Sequence, residues 1–78
     1  MKNFYFKAIT DGETAFTTNA DTLYFAIRAK DGWRARDEVK QILFNRAGCH
    51  QDGLRIEDDI NNHTRIIRIS ARTFAQEA

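Results

Sequence analysis

Arg28, Lys30, Arg34 and Arg36 fall in one short stretch around Trp33, the single tryptophan of the chain. Guanidinium groups beside an indole bind phosphate or carboxylate and form cation–π contacts. Tryptophan and arginine are also enriched among the residues that dominate binding energy at interfaces, so this stretch reads as a partner-binding rim. The bland reading is a solvated charged rim whose cations are neutralised locally by Asp31 and Asp37.

A second constellation follows from strand alternation. If Phe4, Phe6, Leu23, Phe25, Ile27, Leu54, Ile56, Ile67 and Ile69 face a core, the other side of the sheet carries Tyr5, Lys7, Tyr24, Arg28, Arg55, Ile66 and Arg68. Flat rings stack on unpaired bases while guanidinium and ammonium groups neutralise phosphates, which is how open sheets bind single-stranded nucleic acid. Tyr and Arg also make ordinary cross-strand pairs on a half-solvated sheet.

Other reactive groups are sparse. Cys49, His50 and Asp52 lack a second ligand pair at the spacing that completes a tetrahedral zinc site. Asp58, Asp59, Asn61 and Asn62 offer oxygen ligands without the length, internal glycine or closing glutamate of a calcium-binding loop. Two histidines and one cysteine, all assigned to loops, give no nucleophile held beside a base. The expectation is a non-enzymatic protein with no metal and no cofactor.

The elements that must carry these groups show in the hydrophobic period. Residues 3–10 alternate and meet Asp11-Gly12, a hairpin-turn dipeptide, and Glu13 to Thr18 reads as a returning edge strand or an ordered loop. Residues 22–30 alternate again. At Lys30-Asp31-Gly32 the period changes to helical, with Ala35, Val39, Ile42 and Leu43 on one stripe, Asp31 as N-cap and Gly48 as stop. Gly53-Leu54-Arg55-Ile56-Glu57 and Arg65-Ile66-Ile67-Arg68-Ile69 read as two strands joined by a turn over Asp58 to His63. Residues 71–78 read as a last helical turn, prone to fraying, with Phe74 docked.

These readings combine into a single α+β domain over 1–78: an antiparallel sheet of four to five strands in β-β-β-α-β-β order, with one helix packed on one face. A chain of 78 residues holds one small core, and self-association would add to a thin stability margin, so a homodimer is compatible. The formal net charge of +1 argues against a whole-molecule field of the kind that marks a strong duplex-DNA binder. One cysteine excludes an internal disulfide, and no apolar run nears the roughly 20 residues that cross a bilayer. The expected location is the cytoplasm, away from membranes.

The layout Leu23-Tyr24-Phe25-Ala26-Ile27-Arg28-Ala29-Lys30-Asp31, then Ala35-Arg36, Val39 and Gln41-Ile42-Leu43, then Gly53-Leu54-Arg55-Ile56-Glu57, is similar to that of small phage and mobile-element proteins that inhibit host defence, anti-CRISPR proteins among them. The resemblance implies a non-enzymatic inhibitor that docks on a nucleoprotein complex in a bacterial host. Many such proteins are acidic and mimic DNA. This chain is near neutral with basic patches, and occlusion through charged contacts is the expectation that fits it. The alternative is a single-stranded nucleic-acid module using Tyr5 and Tyr24.

Overall fold

The computed structural model describes residues 1–10, 22–46 and 53–78. Six elements follow in chain order: β1 (Lys2–Thr10), β2 (Thr22–Ala29), α1 (Gly32–Arg46), α2 (Gly53–Asn62), β3 (Thr64–Ile69) and α3 (Ala71–Glu77). The protein is α+β, with a three-stranded antiparallel sheet in the order β2-β1-β3. The expected four to five strands and the β-β-β-α-β-β order are not matched. Glu13 to Thr18, the turns at Asp11-Gly12 and before Thr22, Gly48, and the Cys49, His50 and Asp52 group lie outside the described residues.

The core forms where the alternation of β1 meets the stripe of α1. Phe4, Phe6 and Ala8 point to one side and pack with Ile27 and Ala29 of β2, and with Ala35, Val39 and Leu43 of α1. Asp31 starts α1 as its spacing predicts: its carboxylate accepts the Arg34 N–H at 2.9 Å, and its carbonyl accepts the Ala35 N–H at 3.1 Å. Such a cap contributes on the order of 1 kcal/mol. Ile42, expected in the core, is 37 % exposed, because the stripe that touches the sheet runs through Leu43.

Residues 53–62 correct the largest misreading. They form α2, not a strand and a turn, because Ile56 and Ile60 stand four apart on one face and are both buried against β3 and α1. Leu54, which the strand reading put in the core, is 78 % exposed. Asp58 accepts from the Asn62 amide at 2.6 Å across one helical turn. The end of α2 is closed on Asp59, whose carbonyl accepts the His63 N–H at 3.1 Å and the Thr64 hydroxyl at 2.9 Å.

The register of β3 corrects a second point. Ala8 pairs with Ile66 and Phe6 with Arg68, so Ile66 and Arg68 share the helix-covered face with Phe6, while Ile67 and Ile69 take the other side with Tyr5 and Lys7. The expected parity of β3 is inverted. That other side is itself partly covered. Ser70 caps α3, accepting the Thr73 N–H at 3.0 Å, and α3 lays Phe74 against Tyr5 with ring centroids 5.0 Å apart. Residues 71–77 form this helix with Phe74 docked, so α3 lies over part of the sheet face opposite α1.

Candidate functional site

A groove of about 580 Å³ opens between the start of α1 and the sheet, lined by Phe6, Gly32, Trp33, Arg36 and Arg68. The period change at Gly32 creates it. Trp33 lies off the buried stripe of Ala35, Val39 and Leu43 and is 80 % exposed. Arg36, three residues on, turns to the same side. The inverted parity of β3 supplies the third side chain: Arg68 stands on the helix-covered face opposite Phe6, with its guanidinium carbon 4.7 Å from the Phe4 ring centre. Its tip comes so close to α1 that a Cβ on Gly32 would lie 3.6 Å from Nη1.

Two guanidinium groups thus sit beside the N-terminal end of a helix, which is itself electropositive. Neither Arg36 nor Arg68 forms an ion pair among the described residues. The sheet register draws more cations to this end: Lys2 pairs with Ala29, and Asn3 with Arg28, where β1 begins and β2 finishes. Among the described residues one carboxylate, that of Asp31, caps this same helix end. Asp31 is spent on Arg34, whose Nε is 3.7 Å from its carboxylate, and Asp37 lines a separate groove with Glu57 and Lys40 between α1 and α2. Among the described residues, this end thus gathers Lys2, Arg28, Lys30, Arg36 and Arg68 in a chain whose formal net charge is +1.

The five residues of the proposed rim therefore separate. Trp33 and Arg36 line the groove, Arg34 is tied to the Asp31 cap, and Arg28 and Lys30 are exposed on the same end. Arg68, assigned from the sequence to the opposite sheet face, belongs with Trp33 and Arg36. Its sequence signal was the pair Ile66-Ile67, which leaves either parity of β3 open.

The tyrosine face is differently occupied. Phe74 packs on Tyr5 and meets Tyr24 edge-on at 6.4 Å, and the Glu77 carboxylate accepts the Tyr24 hydroxyl at 3.0 Å and pairs with Lys7 at 3.5 Å. Arg55 is not on this face at all, being an exposed residue of α2. The hydrogen bond to Glu77, then partial desolvation, then repulsion from that carboxylate raise the Tyr24 phenol above its ordinary value of 10.0. A raised folded-state value means that the Tyr24–Glu77 tie is fully present below the unfolded value and is lost as pH rises through the folded one. Thermal melts of wild type and Tyr24→Phe between about pH 9 and 11 check this: wild type should lose stability more steeply with pH than the variant, and parallel curves would count against the tie.

Asp58, Asp59 and His63 bring their ligand atoms within 4.8 Å of one another, which adds His63 to the acidic run read from the sequence. Asp58 is already engaged by Asn62 and stands 3.6 Å from His63 Nε2, so these contacts stitch the end of α2. No described helix is long and apolar enough to cross a membrane. Comparison with protein-family models, curated proteins and solved structures found no match, so the geometry of the groove carries the functional argument.

Proposed function

We propose that this chain is a non-enzymatic binding protein that docks through the groove at its basic end on a bacterial nucleoprotein defence complex and blocks it, in the manner of anti-CRISPR inhibitors. One observation carries the reading. Trp33 is 80 % exposed beside Arg36 and Arg68, two cations that lack a carboxylate partner among the described residues. Exposing an indole forgoes roughly 1.5–3 kcal/mol of the burial free energy open to a large apolar side chain, and grouping like charges at a helix N-terminus adds repulsion. Both costs are recovered when an anionic partner closes the groove.

The tyrosine face supports the alternative less well, because α3 already holds Tyr5, Tyr24 and Lys7.

The test is biological protection. Expression of the chain in a bacterium whose nucleoprotein defence targets a phage should restore plaque formation. Trp33→Ala and Arg36→Glu should each abolish that restoration with the thermal midpoint nearly unchanged, since Trp33 is exposed and the half-buried Arg36 forms no ion pair among the described residues. Restoration at wild-type efficiency by both variants would reject the groove as the docking site.

A further inference from the structure

From the groove we infer a site for single-stranded nucleic acid, one base stacking on Trp33 and the adjoining phosphates pairing with the Arg36 and Arg68 guanidinium groups. This rests on the docking reading and names the component of the nucleoprotein complex that the groove would touch. An anion is called for by two guanidinium groups near the start of α1 that form no ion pair among the described residues, the Asp31 carboxylate at that end being engaged by Arg34. Arg68 is positioned in advance by its cation–π contact with Phe4, so little side-chain freedom is lost when it binds.

A flat group is called for by the indole of Trp33, a residue 80 % exposed that lines the groove. A nucleotide supplies ring and anion at one spacing, and the volume of about 580 Å³ falls in the range of small-ligand sites. A duplex offers the phosphates but keeps its bases stacked, which selects the single strand. An acidic peptide would satisfy the arginines and leave the indole without a stacking partner.

Trp33 is the sole tryptophan, so its own emission reports the contact. Titration of the full chain with a short oligothymidylate at low salt should quench that emission. By anisotropy of a labelled strand, the logarithm of affinity should fall with the logarithm of salt at a slope near −1.4, the value for about two phosphate contacts, and Arg36→Gln should bring it to about −0.7. Trp33→Leu should weaken binding by roughly 5-fold to 150-fold while leaving the slope unchanged.

Arg68→Gln loses a packing contact as well as a charge, so its melting curve is measured alongside, and Arg36→Gln carries the decision. Unquenched emission with no binding at low salt overturns the inference, as does an oligoglutamate of equal charge binding as tightly as the strand. If the oligonucleotide fails while plaque restoration still depends on Trp33 and Arg36, the docking reading stands and the partner at the groove is protein. If both fail, the groove is no site.

Discussion

Leu43→Ala is expected to lower the unfolding free energy by about 2–5 kcal/mol, and Ile42→Ala, one residue earlier, by less than about 1 kcal/mol. Leu43 is fully buried against the sheet, so truncation removes its transfer free energy and leaves a cavity that its rigid neighbours cannot fill. Ile42 is 37 % exposed, and water fills the space that its truncation opens. A chain of 78 residues has a total stability on the order of 4–12 kcal/mol, so the Leu43 change removes a large fraction of it. Urea titrations followed by circular dichroism decide the point. Equal losses at the two positions would mean that α1 is rotated from the orientation described here.

A proline at position 58 separates the two readings of residues 53–62 more sharply still. Asp58 is an exposed residue in the middle of α2, where Asp58→Pro would remove a backbone hydrogen bond and drive the ring into the carbonyl four residues back. The expected cost is about 3 kcal/mol or more, with a fall in helical ellipticity. In a turn between two strands the same change would cost little, since proline is at home there. A variant that melts within a few degrees of wild type would return residues 53–62 to the hairpin reading.

The contrast between α1 and α2 shows what was legible in the sequence. In α1 the stripe Ala35, Val39 and Leu43 repeats every four residues over more than two turns, and Asp31 marks its start, so period and cap agree. In α2 the apolar residues are Leu54, Ile56 and Ile60, and the first two stand at strand spacing. The helix is decided by Ile56 with Ile60, and Leu54 is a solvent-facing residue that imitates alternation. Short apolar runs are ambiguous for this reason, because one exposed leucine is enough to change the period.

The parity of β3 was hidden by a different cause. Arg65-Ile66-Ile67-Arg68-Ile69 has apolar residues on both faces, with α1 and α2 covering one side of the sheet and α3 covering part of the other, where Ile67 and Ile69 are half-buried. Alternation records which face is wet, and a strand with apolar residues on both faces gives no such record. The candidate site inherited the error. Trp33 and Arg36 were found from residue type and helical spacing, whereas Arg68 joins them only through its pairing with Phe6.

The order β2-β1-β3 also bears on how the chain reaches its native state. Among the described elements β1 precedes both of its partners, of which β2 comes before α1 while β3 comes only after α1 and α2. During vectorial synthesis β1, β2 and α1 can condense early around Phe6, Ile27 and Val39, leaving the β3 side of β1 with unpaired amides and Ala8 exposed beside it. That raw edge is the point at which two growing chains can join. Because α2 packs on both β3 and α1, residues 53–62, of which 53–57 read as an extra strand, join the last strand to the part of the core that precedes it in the chain.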